Sequence, residues 1–182
     1  MRKVNSALFI TLDGVTESPE KWQFDAFDDD MIALMSAGIA NEDTTLLGRV
    51  TYQEWVPYWP TSAHEPYASH INSTRKYVVS STLDTVEWGK WGNISLLKGD
   101  LAEEIAKLKQ QHGKNIGVPG SPTLVRSMLQ NDLLDQLTLM LHPVVAGSGK
   151  RLFTDGSDLK RMKLVDAKTT KTGVALLTYQ PA

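Results

Sequence analysis

The sequence predicts an α/β fold: a mainly parallel, mixed sheet covered on both faces, in three layers, with a C-terminal antiparallel hairpin. Strand-like and helix-like runs alternate along most of the chain, the pattern of parallel strands joined by crossover helices. The strand candidates are short and continuously apolar, as strands buried on both faces must be. From Lys160 onward two strand-like runs, Lys160–Asp166 and Gly173–Tyr179, follow each other without a helix and read as a hairpin. No repeat, low-complexity run or linker interrupts the 182 residues, so one domain is expected over 1–182.

The first strand is read at Val4–Leu12, rich in apolar residues, and Asp13–Phe27 as loop, with Gly14, Pro19 and scattered charge. Asp28-Asp29-Asp30 precede Met31, Ile32, Leu34 and Met35; acids before an apolar-periodic run mark a helix start, where the dipole favours them. Thr44–Leu47 reads as strand, Val50–Trp55 as helix, and Tyr67–Ser73 as another short helix after a loop rich in proline and aromatics. Lys76–Ser80 and Asn93–Leu97 are further strands. Asp100 then caps a helix whose Leu101, Ile105 and Leu108 share one face, with Glu103 and Lys107 paired on the other and Gly113 at its end. Asn115–Val118 is strand. Ser121-Pro122 opens a helix with serine as cap and proline at the first helical position, and Leu124, Val125, Met128 and Leu129 form its apolar face. Leu137–Val145 is the last long strand before the hairpin.

Bulk properties exclude several function classes. The chain has no cysteine, which removes disulfides and thiolate catalysis and points to a reducing, cytoplasmic setting. A chain this long buries roughly 70% of its unfolded surface and needs no covalent staple. The N-terminal MRKVNSALFITLDG is basic and then apolar, yet it runs into Asp13-Gly14 without a small-residue cleavage site and reads as strand. No stretch approaches the ~20 apolar residues of a membrane span. Net charge is −2 with signs mixed throughout, so neither the basic stripe of a nucleic-acid binder nor the cluster of a membrane docker is present. The expected partners are a small molecule and a second copy of the chain.

Familiar motifs are absent. Gly147-Ser148-Gly149-Lys150 lacks the first glycine of a phosphate loop, and Leu152 stands where the dinucleotide fingerprint needs its last glycine. No nucleophile elbow occurs. The histidines (64, 70, 112 and 142) lack the spacing of zinc ligands, so no metal is expected and each reads as surface or packed. What remains is a set of glycine turns: Gly48-Arg49, Gly120-Ser121 and Gly147 to Arg151, each following a strand. In open parallel sheets ligands bind beyond the carboxyl ends of the strands, and helix starts there favour phosphate. Any one turn alone is ordinary loop chemistry. Three at one edge point to a phosphorylated ligand, with Arg49, Arg75, Lys76, Lys150 and Arg151 as possible cations.

The runs ALFITLDG, LLGRVTYQEW, KYVVSSTL, IGVPGSPTLVRSML and LLDQLTLMLHPVVAGSGKRLF, in this order and spacing, resemble the dihydrofolate reductase-like superfamily. The resemblance is to the branch containing the reductase domain of the bifunctional riboflavin-biosynthesis deaminase/reductase. It covers the chain to about Phe153 and implies an NADPH-dependent reductase acting on a pyrimidine- or pterin-like heterocycle, free-standing here because the deaminase zinc motif is missing. It implies that Gly48, Arg49 and Thr51 meet the cofactor pyrophosphate and that Ser80 and Ser81, helped by Arg75 or Lys76, lie against the 2′-phosphate. Gly120-Ser121 would pass beneath the cofactor, where folate-reducing members carry two glycines, often joined by a cis bond; with Pro119-Gly120-Ser121 the isomer stays open. Lys150 or Arg151 would meet a substrate phosphate, and Trp22 and Phe24 would border the nicotinamide. Trp55, Tyr58 and Trp59 are candidate walls for a heterocycle, although aromatics this dense more often serve as core or dimer contacts. For the proton source the candidates are Asp13, whose other reading is a turn cap before Gly14, and Asp28 with its neighbours, whose other reading is the helix dipole. Asp135 reads as structural. Members of this branch often pair, which implies a homodimer.

Overall fold

Alternation within the first strand sets the layers of the computed structural model, which describes residues 1–182. In β1 (Val4–Thr11), Val4, Leu8 and Ile10 join one core cluster while Phe9 joins another on the opposite face. The other central strands split the same way, with Leu46 in the first cluster and its neighbour Leu47 in a third. Such double-sided strands are what continuous apolar runs require.

The remaining elements are α1 (Asp29–Ile39), β2 (Glu42–Gly48), α2 (Arg49–Trp55), α3 (Tyr67–Ser73), β3 (Arg75–Val79), β4 (Ile94–Leu97), α4 (Leu101–Gln110), β5 (Asn115–Gly120), α5 (Pro122–Gln130), β6 (Gln136–His142), β7 (Met162–Thr169) and β8 (Ala175–Pro181). They build one eight-stranded sheet in the order β4-β3-β2-β5-β1-β6-β8-β7. The first six strands of that order are parallel, and β8 and β7 join antiparallel. The hairpin strands begin two residues later than the sequence predicts, and β6 stops at His142 rather than Val145, because Pro143 cannot donate to a ladder. Helices α4 and α5 cover one face: Ile105, Leu108, Val125 and Met128 lie against Leu8, Ile10, Ile116 and Val118. Truncating Met128, fully buried there, to alanine would cost roughly 2–5 kcal/mol. On the opposite face α2 and α3 pack over β2 and β3, while α1 packs over β1, β6 and β8 through Met31, Met140 and Leu176.

The two edges of the sheet are held differently. At the amino edge, charges fasten the strand starts. Arg2 is buried, pairs with Asp43, and donates to Thr44 Oγ1 at 2.6 Å. Asp135 accepts from Val4 N at 2.7 Å and pairs with Lys109 at 2.7 Å, the structural role expected for it. On α4, Lys107 pairs with Glu104 at 2.7 Å rather than with Glu103. The carboxyl edge is held by glycine turns and loop amides instead.

Candidate active site at the carboxyl rim

Because β3, β2, β5, β1 and β6 are parallel neighbours, the turns that follow them share one rim. Two of these turns interlock. Gly48 ends β2 and caps α2 with an extended backbone, φ −74° and ψ 154°, so it needs no left-handed freedom. It needs space: a Cβ there would stand 2.4 Å from Ser121 Oγ and 2.8 Å from Ser121 N. Gly120 returns the relation, since its Cβ would meet Thr51 Oγ1 at 2.6 Å, and its φ of +154° excludes most side chains besides. The Gly120–Ser121 bond is cis. Ser121 Oγ accepts from Leu124 N at 3.4 Å and caps α5, with Pro122 at its first position. Two helix starts and the buried Thr51 therefore stand together over the β2–β5 pair.

Arg49 follows Gly48 as the first residue of α2. It is exposed, and its guanidinium donates only to Gln53 Oε1, at 3.1 Å; no carboxylate neutralises it. Ser80, just past β3, is buried, and its hydroxyl accepts from Thr82 N and Leu83 N, each at 3.2 Å, so it holds the turn that presents the exposed Ser81. The two cations expected beside these serines are elsewhere. Arg75 and Lys76 open β3 while the serines follow its end, roughly 13 Å away at 3.3 Å per residue. Lys76 is fully buried and donates to the carbonyls of Ile71, Asn72 and Thr74 at 2.7–3.3 Å, where it closes the end of α3. Burial pushes its ammonium down to about 8. It cannot serve a ligand phosphate.

On the other side of β5 the loops after β1 and β6 are fastened to each other by Asp13. Its Oδ1 accepts from Thr11 Oγ1 at 2.6 Å and Ala146 N at 3.0 Å; its Oδ2 accepts from Gly147 N at 2.9 Å. Arg151 adds Nε to Asp13 O at 2.8 Å, and Lys150 pairs with Glu17 at 3.3 Å. Gly149 is needed because a Cβ would press within 2.7 Å of Val15. The hydrogen bond from Thr11, with those from the two amides, holds the Asp13 carboxyl down to about 2. A group ionised that firmly is a poor proton donor near neutrality, and its contacts are those of the turn-cap reading of Asp13. Asp28 is held at the start of α1. Its Oδ1 caps α1 through Met31 N at 2.9 Å, its Oδ2 accepts from Thr172 N and Thr172 Oγ1, and these bonds, Met31 first, lower its pKa. Lys150 and Arg151 keep exposed head groups beside the rim, each with an acidic neighbour already attached.

Trp55, Tyr58, Trp59 and Tyr67 pack edge-on against one another, at centroid distances of 4.9–5.9 Å, and belong to core and surface rather than to the rim. Trp22 does reach the rim. Its indole lies edge-on to His142 at 5.3 Å, with Phe9 on the same imidazole at 5.5 Å. His142 ends β6 opposite Thr11, is fully buried, and neither ring nitrogen has a hydrogen-bond partner. Sequence reading passed over it as a packed histidine; the available signal was its place at a strand end beside a glycine loop.

Residues 2–176 match the family described as RibD C-terminal domain. This chain belongs to that family. Within the RibD C-terminal domain family it is similar to two Bacillus subtilis (strain 168) proteins without an assigned activity. One is YyaP, 29% identical over 183 residues that cover 98% of this chain and 94% of that protein. The other is YwjB, 26% identical and covering 74% and 71% of the two chains. Solved structures share its fold. A Shewanella sp. PV-4 protein whose name places it in riboflavin biosynthesis superposes with a TM-score of 0.78 at 20% identity, over 99% of each chain. The Thermotoga maritima diaminohydroxyphosphoribosylaminopyrimidine deaminase/5-amino-6-(5-phosphoribosylamino)uracil reductase superposes with a TM-score of 0.67 at 16% identity, over all of this chain and 57% of that one. The RibD C-terminal domain is thus a dihydrofolate reductase-like fold of a reductase-type family, as the order of motifs implies. No helix in it is long and apolar enough to cross a membrane.

Proposed function

We propose that this RibD C-terminal domain is an NADPH-dependent oxidoreductase that reduces a pyrimidine- or pterin-like heterocycle, with a ribosylaminouracil phosphate as first candidate substrate. The observation that carries this reading is the interlock of Gly48 with Ser121 and of Gly120 with Thr51. It brings two strand–helix junctions into contact through the small Ser121 and Thr51 side chains, with Arg49, whose guanidinium meets no carboxylate, as the first residue of α2 beside them. Backbone amides and a free arginine suit a diphosphate, since charge-assisted hydrogen bonds are the stronger kind.

NADPH, when bound, supplies the hydride, so the share of this chain is binding, orientation and exclusion of water. Gly48, Arg49, Thr51, Gly120 and Ser121 would hold the phosphates, and the turn at Ser80 and Ser81 would lie toward the far end of the nucleotide. The loop bearing Trp22 would cover the reacting ring. Lys150 and Arg151 stand where a substrate phosphate would exchange for Glu17 and Asp13.

The hydrogen bonds that hold Asp13 and Asp28 in their turn and cap favour a second reading, a dinucleotide-binding module without turnover, because they stabilise both carboxyls in the ionised form. NADPH oxidation assayed against aminouracil and pterin substrates separates the two. Oxidation with any of them supports the reductase; tight binding without oxidation favours the module.

A further inference from the structure

Buried histidines in folded proteins nearly always satisfy at least one ring nitrogen. His142 satisfies neither, although it is fully enclosed. Its position is equally unusual. It ends β6 directly opposite Thr11, the last residue of β1, so it lies at the rim where the ligand-facing turns meet. Phe9 and Trp22 present ring edges to it, and neither offers a hydrogen bond to the imidazole. Phenylalanine or leucine would fill such a space without orphaned atoms.

The wall on one side is movable in kind. Phe9 belongs to β1, but Trp22 sits in the segment between β1 and α1, outside the sheet. The indole Nε1 reaches only the carbonyl of Glu17 in the same segment, at 3.3 Å. The adjacent Gln23 also has a buried Oε1 without a partner. Of this loop pair, Gln23 leaves polar capacity unmet, while Trp22, its indole nitrogen already bonded to Glu17, lies against the imidazole without serving it.

We propose that His142 is the side chain that hydrogen-bonds the substrate's heterocyclic edge, and that Trp22 covers it until a flat heterocycle takes the indole's place. This rests on the reductase reading above and names the residue that recognises its substrate. Burial lowers the pKa of His142, so the ring is neutral at neutral pH. A neutral imidazole offers one N–H donor and one lone pair. The two nitrogens point apart, so the ring meets one heterocycle atom at a time, either the C=O or the N–H of a ring amide as in pyrimidinones and pterins. Phe9, left in place, would give the heterocycle an aromatic edge.

The test uses the intact protein with lumazine and 5-aminouracil as probes, without NADPH. Ring 15N resonances of the histidines are followed during each titration, together with tryptophan fluorescence. The expected result is a shift of a His142 ring nitrogen toward its hydrogen-bonded position, saturating with the same concentration dependence as the change in Trp22 fluorescence. His142→Phe should weaken probe binding by about tenfold, the worth of one buried hydrogen bond, and His142→Gln should recover part of it. If neither probe moves the His142 nitrogens, or if His142→Phe binds them as tightly as the native chain, the inference is overturned. Should a variant fail to fold, the native titration decides by itself. A separate NADPH titration of the native protein reports on the reductase reading, so loss of cofactor binding and loss of the His142 contact are seen independently.

Discussion

Gly48 and Ser121 stand so close that one methyl group between them would lie 2.4 Å from the serine hydroxyl and 2.8 Å from its amide nitrogen. The glycine at the handover from β2 to α2 is there for a neighbour 73 positions later in the chain, since its own dihedrals suit any residue.

Gly48→Ala is therefore expected to force the two junctions apart. Because the Ser121 amide nitrogen is among the atoms in the way, relief requires a shift of the chain, and overpacking of this kind costs about 1–3 kcal/mol. Urea unfolding should show that loss, with NADPH affinity falling as well. An alanine variant as stable as the native protein would mean that the junctions are looser than 2.4 Å implies.

Arg49→Ala removes the guanidinium at the start of α2, whose only partner is Gln53. No internal ion pair is lost, so stability should change by less than about 0.5 kcal/mol, the usual range for a surface position. NADPH binding should weaken by roughly 1.5–3 kcal/mol, the worth of a hydrogen bond to a charged group. Calorimetric titration of both forms checks the pair of expectations.

Asp13→Asn should leave the pH profile of turnover in place, because a carboxyl held to about 2 is not the acid that profile reports. Its effect belongs to stability. The folded pKa lies below the ordinary 3.8, so the native chain gains from ionised Asp13 above about pH 4 and loses that gain as pH falls toward 2. The asparagine variant should show a shallower loss across that window in acid-unfolding curves. Deletion of one limb of the turnover profile would instead return Asp13 to the proton-donor role.

Glu42 gives the opposite sign. Its carboxyl is half-buried at the amino edge without a hydrogen bond, and loss of solvent pushes it up to about 7. Burial first, and then Lys76 and Lys114, lower the pKa of the nearby His70, and Tyr67 also faces the carboxylate. The 3.8 Å approach of His70 to Glu42 is thus a contact of two groups that are seldom charged together. A folded pKa above the unfolded 4.5 means that stability is fully present below pH 4.5 and declines as pH rises toward 7. The decline is of the order of 3 kcal/mol at 1.36 kcal/mol per unit. Glu42→Gln should flatten it, which urea midpoints at pH 5 and pH 8 would reveal; an unchanged slope would place the titration elsewhere.

Much of the architecture was legible because it is written locally. The apolar runs announce double-sided strands, Ser121-Pro122 announces α5, and α3 falls on Tyr67–Ser73 as predicted. The site was legible only as an edge. Which residues do chemistry there depends on partners distant in sequence. Asp13 is fixed by amides 133 and 134 residues onward, and nothing near it in the chain marks it as a clamp. Lys76 looked like a ligand cation beside the β3 serines, yet strand direction carries it to the far edge, where the carbonyls at the end of α3 absorb its charge. The unmet nitrogens of His142 are an absence of partners, which no spacing of residues can signal.

The claim on which the functional account stands is that the Gly48 and Gly120 junctions together grip the phosphates of a dinucleotide. Backbone amide mapping during an NADPH titration tests it most directly. The account predicts that the largest shifts fall together on Gly48 to Thr51 and on Gly120 to Leu124, and saturate at one concentration. Saturating NADPH that leaves both stretches unmoved, or that perturbs only residues away from the carboxyl rim, would contradict it.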